Sequence, residues 1–76
     1  MNKKDRKELS RALALVSEAL EIIVQLRDGE QDKFDNLPEG LQSSEMGEKV
    51  EEWVNSLEDI ESNLTEIVDE TSLLCE

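Results

Sequence analysis

The sequence predicts an all-α fold, an antiparallel two-helix hairpin of coiled-coil type. Three observations carry that prediction. Two long stretches place apolar residues at alternating intervals of three and four. A single Asn36-Leu37-Pro38-Glu39-Gly40 segment punctuates the chain between them. Around both stripes the chain is dense in charge, with 20 acids against 8 bases, as expected for the wet side of amphipathic helices.

The first stripe runs Leu9, Ala12, Leu13, Val16, Ala19, Leu20, Ile23, Leu26. It predicts a first helix over about residues 4–30. Leu15, Ile22 and Val24 lie off that stripe, so the apolar face is wider than one partner helix covers. Gly29 weakens the helix, because glycine costs about 1 kcal/mol inside one. A turn is expected over 31–43: Pro38 biases Leu37 away from helical backbone, and Asn36 with Glu39 three residues on has the form of a reciprocal cap.

Ser43-Ser44-Glu45 makes a good helix start, a hydroxyl cap followed by acid in the first turn. A second long helix is expected over about 44–73. Its seam reads Val50, Trp53, Leu57, Ile60, Leu64, Ile67, Thr71, Leu74. Gly47 falls in its first turn, where the helical penalty is small. The expected hairpin core is Leu9, Val16, Ile23, Trp53, Leu57, Ile60, Leu64 and Ile67. A turn centred near residue 37 makes facing positions add to about 76. Lys3, Lys4, Arg6, Lys7 and Arg11 would then lie beside Glu66, Asp69 and Glu70.

The whole chain, 1–76, reads as one domain. So short a chain buries a thin core and usually needs a staple. Cys75 is the only cysteine and there is no histidine, so neither a disulfide within the chain nor a zinc cluster is expected. Self-association remains, and the sequence predicts a dimeric four-helix bundle. Leu15, Ile22, Val54 and Val68 are the candidate self-association residues.

The net charge is −12. Residues 45–76 hold eleven acids and the single base Lys49, whereas residues 1–11 hold five bases and two acids. This balance argues against direct nucleic-acid binding, which needs Lys and Arg on phosphate, and against anionic membrane surfaces. No apolar run approaches the ~20 residues that span a bilayer, and the N-terminus lacks the apolar region of a signal peptide. The lone cysteine fits a reducing compartment. A cytoplasmic protein is therefore expected, with Asn63-Leu64-Thr65 a chance match to the glycosylation triplet.

Catalysis requires a positioned nucleophile, base or metal. There is no histidine, no tyrosine and no glycine-rich phosphate loop. Cys75 has no neighbouring cation or helix N-terminus to favour its thiolate. Asp28, Glu30, Asp32 and Asp35 have carboxylates at loop-like spacing but fail the calcium-loop pattern. No enzyme activity, cofactor or metal is expected.

The stretch Phe34-Asp35-Asn36-Leu37-Pro38-Glu39-Gly40-Leu41-Gln42-Ser43-Ser44-Glu45, followed by an acidic heptad helix, resembles small helical-hairpin proteins of phages and mobile elements of Gram-positive bacteria. In those an "NLPE-x-LQ-S" turn precedes a Glu-rich amphipathic helix. The resemblance implies a small accessory protein of the bacterial host cytoplasm, with no active site. The helix after the turn is typically richer in Ala, and Trp53 with the Val/Ile/Leu seam departs from that pattern.

Two functions follow as expectations. The first is a non-catalytic acidic binding protein, an inhibitor that engages the basic nucleic-acid-binding surface of a host or defence protein. Its partner-binding face would be Glu48, Glu51, Glu52, Glu58, Asp59, Glu66, Asp69 and Glu70. Helical carboxylates three or four apart lie ~5–6 Å from one another, near the phosphate spacing of a strand. The alternative is a structural dimerisation or scaffolding module whose acid serves only solubility.

Overall fold

The structure, a computed structural model, describes residues 1–75. Helix α1 spans Lys3–Asp35, a single turn α2 spans Glu39–Gln42, and α3 spans Glu45–Cys75. The two long helices pack antiparallel into a rod 59 Å long and 14 Å across.

Local chemistry sets each boundary. The Asn2 side chain accepts from the Asp5 N–H at 2.8 Å and starts α1. The helix does not weaken at Gly29 but continues to Asp35. Beyond Gly29, Glu30, Gln31 and Phe34 are still half-buried against the other arm, so packing outweighs the local propensity cost. Pro38 then ends it. Asn36 is the C-cap of α1 rather than the opening cap of the short turn, and Pro38 precedes α2 without a side-chain cap. The Gln42 amide donates to the carbonyls of Phe34 (3.3 Å) and Leu37 (3.4 Å), tying the turn back to the end of α1. Ser44 caps α3 as the sequence predicts. Its hydroxyl donates to the Leu41 carbonyl and accepts from the Gly47 N–H at 3.3 Å.

The seam of α3 is Gly47, Val50, Val54, Leu57, Glu61, Leu64, Val68, Thr71 and Cys75. These are its buried and half-buried residues at three–four spacing, with Ser72 half-buried beside them. On α1 the facing row is Leu9, Leu13, Val16, Leu20, Ile23, Arg27, Glu30 and Phe34, flanked on one side by half-buried Ser17, Val24 and Gln31. Leu9, Val16, Ile23, Leu57 and Leu64 thus occupy the seam expected for them.

Trp53, Ile60 and Ile67 do not belong to the hairpin core. They are 54%, 41% and 45% exposed, and Leu74 shares their row outside the seam. Val54, assigned above to self-association, is instead 5% exposed inside the hairpin, and Val68 is half-buried there. On α1, Ala12, Ala19 and Leu26 likewise lie outside the seam and are exposed.

One residue explains the change of phase. A Cβ at Gly47 would stand 2.3 Å from the Gln42 carbonyl oxygen and 2.6 Å from that of Leu41. Only glycine lets the turn lie this close, so position 47 must face inward. Stepping by seven from it brings Val54, Glu61, Val68 and Cys75 inward. Trp53, Ile60, Ile67 and Leu74 follow one position behind and swing to the flank.

The register differs as well. Arg27 pairs with Glu61 and the Ser10 hydroxyl donates to the Cys75 thiol at 3.8 Å. Facing positions therefore add to 88 and 85, not about 76. Because α1 runs five residues further than expected, the turn is shorter and centred later. In consequence the first two turns of α1 extend beyond the end of α3. Among the described residues no ion pair joins Lys3, Lys4, Arg6, Lys7 or Arg11 to Glu66, Asp69 or Glu70; Arg11 instead pairs with Glu8 on its own helix at 4.0 Å.

Candidate functional site

The rows that leave the seam come together on one side of the rod. On α3 they are Met46, Trp53, Ile60, Ile67 and Leu74, each seven residues from the next and each exposed. On α1 they are Ala12, Leu15, Ala19, Ile22 and Leu26, again at three–four spacing and exposed. Leu26 and Trp53 line one open notch together with Glu30, Ser56 and Leu57, which fixes both rows to the same side. Of the four residues expected to self-associate, Leu15 and Ile22 stand exposed on this side, whereas Val54 and Val68 do not.

The middle of this face is charge-free, with Lys49 and Glu70 at its two ends on α3. Between Ala12 and Leu26 on α1, and between Trp53 and Ile67 on α3, its residues are aliphatic or aromatic apart from the small polar Ser56 and Asn63. In a chain that is 37% charged, a wet face would carry Lys or Glu at several of these positions. The opposite edge shows the contrast. There α1 offers Ser10, Ser17, Val24 and Gln31, and α3 offers Glu51, Glu58, Thr65 and Ser72.

The seam beneath contains few fully buried apolar side chains. Only Val50 and Val54, each 5% exposed, qualify among the described residues. Between them and the open end sits a polar pair. Arg27 of α1 donates to both Asp28 and Glu61, and the Arg27 and Glu61 side chains are about a quarter exposed. The hydrogen bond that Arg27 donates to Asp28 raises the Arg27 pKa above its ordinary value; partial burial opposes this, and the Glu61 charge adds to it. Such a pair contributes more to register than to net stability, since each alternative pairing would strand a half-buried charge.

At the rim of the notch Glu30 accepts from Lys33 at 2.9 Å through one oxygen. Its other oxygen is buried with no hydrogen-bond partner among the described residues.

The acidic residues lie elsewhere. Glu48, Glu51, Glu52, Glu58, Asp59, Glu66, Asp69 and Glu70 are all exposed on α3. Glu48, Glu52, Asp59, Glu66 and Asp69 occupy its outer side, Glu51 and Glu58 the polar edge, and Glu70 the rim of the apolar face. Glu45, Glu48, Lys49, Glu51, Glu52 and Asn55 border a shallow open depression. Asp28, Asp32 and Asp35 stand on continuous helix, and no group of three potential metal ligands converges among the described residues. Among the described residues no helix is long and apolar enough to cross a membrane.

Comparison of the chain with protein families, with curated proteins and with solved structures finds no match.

Proposed function

We propose that this chain is a non-catalytic interaction protein that works as a dimeric four-helix bundle, a dimerisation or scaffolding module. The exposed apolar face carries this reading. Leu15, Ile22, Leu26, Trp53, Ile60, Ile67 and Leu74 are each 41–59% exposed on one side of a rod with a thin core. Covering a half-exposed side chain of this size gains roughly 1 kcal/mol, which a small hairpin needs to become a stable body. Analytical ultracentrifugation over a micromolar concentration series tests the reading. Twice the chain mass is expected, and a folded species of single-chain mass throughout the series would overturn it.

A second reading is favoured by a separate observation. The carboxylates of Glu48, Glu52, Asp59, Glu66 and Asp69 point away from the apolar face, so self-association leaves them free. The reading is a phage-type inhibitor whose acidic side engages the basic nucleic-acid-binding surface of a host or defence protein. Such association would be fast and would weaken as salt rises. The turn's resemblance to phage-encoded hairpins supports it, together with a setting in the bacterial cytoplasm. Affinity capture from host lysate at two salt concentrations is the test. Recovery of a basic nucleic-acid-handling protein only at low salt is expected, and its absence at low salt would count against the reading.

A further inference from the structure

Resting on the self-association just argued, we propose how the second copy docks: face to face, with the two turns at opposite ends of the bundle. Two independent features of the rod choose this arrangement over its alternative, in which both turns share one end.

The first is the distribution of charge along the axis. Residues 28–52, which make up the turn end, hold nine acids and two bases. The other end carries the overhang of α1, where Lys3, Lys4, Arg6 and Lys7 stand beyond the reach of α3. Docking with the turns together sets two strongly acidic ends side by side. Docking with the turns apart lays the basic overhang of each copy along the acidic turn of the other, near Glu39 and Glu45. Opposite charges then meet at both ends, and the overhang gains the neighbour it lacks within its own hairpin.

The second is the content of the apolar rows. With the turns together, a two-fold axis runs along the rod, and α1 of one copy covers α3 of the other. Trp53 then falls at the level of the partner's Lys33. With the turns apart, the axis crosses the rod, like helices cover like, and the face, which spans Ala12 to Trp53 in level, folds onto itself about Ile22. Trp53 then lies at the level of the partner's Leu74, Ile60 at that of the partner's Ile67, and Leu26 at that of the partner's Ala19. Trp53, Ile60, Ile67, Leu74 and Leu26 thus each meet an apolar residue, whereas Leu15 comes level with the partner's Glu30.

A single distance separates the two arrangements. Gly40 lies in the turn, and a Cβ built there meets nothing within 4 Å, so Gly40→Cys in a Cys75→Ser background gives a spin-label site that leaves the hairpin intact. With the turns apart, the two labels are separated by about 34 residue levels, or roughly 50 Å at ~1.5 Å per residue. With the turns together, they lie within the width of the bundle, under about 25 Å, since packed helices are ~10 Å apart. The expected pulsed dipolar spectrum shows the long distance. The short distance in a sample that light scattering shows to be dimeric would overturn this arrangement and leave the dimer standing. A sample that stays monomeric would overturn both. A charge test backs the distance: Lys3→Glu, Lys4→Glu and Lys7→Glu together should weaken dimerisation at least tenfold at low salt. No change would contradict the pairing of overhang and turn.

Discussion

Gly47 sits against the Gln42 carbonyl, so close that a single added carbon would stand 2.3 Å from that oxygen. This contact decides which residues of α3 face α1 and, by exclusion, which ones line the open face. Gly47→Ala should therefore destabilise the hairpin although alanine is the better helix former. The clash is with backbone, which cannot swing aside, and a cost of about 1–3 kcal/mol is expected. Gly29→Ala is the control: its added carbon meets nothing within 4 Å, and a gain of up to about 1 kcal/mol is expected. Urea unfolding followed by circular dichroism measures both. Equal effects would remove Gly47 as the residue that sets the phase.

Val54 and Trp53 are neighbours in sequence with opposite environments. Val54→Ala empties a buried site, with an expected cost of roughly 1–3 kcal/mol at any protein concentration. The cost of Trp53→Ala should depend on concentration, small where the chain is monomeric and larger where the face is covered. Unfolding curves at two concentrations tenfold or more apart show the difference. The intrinsic fluorescence of Trp53, the only tryptophan, should shift to the blue as wild-type concentration rises.

Arg27 and Glu61 face each other across the seam from 34 positions apart in the chain. Glu61→Lys sets two cations together and should lower the melting temperature well below that of Glu58→Lys, which is made on the exposed edge. Replacing both partners with leucine should restore or raise it, because apolar packing replaces a half-buried charge pair at little cost. The double variant should also lose uniqueness of register. Broadened amide resonances would reveal that loss, whereas a sharp spectrum would show that the pair does not select the register.

The fold class, both long helices, the Ser44 cap and the exposed acids of α3 are legible in the sequence because each rests on local chemistry. Five of the eight expected core residues also hold. Phase and register are not legible from periodicity alone. The three α3 rows that pass through positions 50, 54 and 53 are all apolar or nearly so at their heptad repeats. A three–four pattern can therefore be drawn through the first and second sets, or through the first and the Trp53 row. Trp53, Ile60 and Ile67 made the second choice more hydrophobic, and Glu61 made the first look broken. The decisive signals were present: Gly47 marks the inward side seven residues before Val54, and Arg27 is the base whose position matches Glu61. Both act through the turn and the opposite helix, so they become readable only once the length of α1 is known. That length depended on Glu30, Gln31 and Phe34 packing beyond Gly29.

In the proposed dimer a second copy covers the side holding Ile22 and Ile60. Size-exclusion chromatography with light scattering, on the wild type beside an Ile22→Glu, Ile60→Glu double variant, measures this most directly. Both positions are exposed in the single hairpin, so the variant should keep its helical circular dichroism. A wild type of twice the chain mass at micromolar concentration and a variant of single-chain mass are expected. A wild type that elutes as a folded single chain, indistinguishable from the variant, would contradict the dimer.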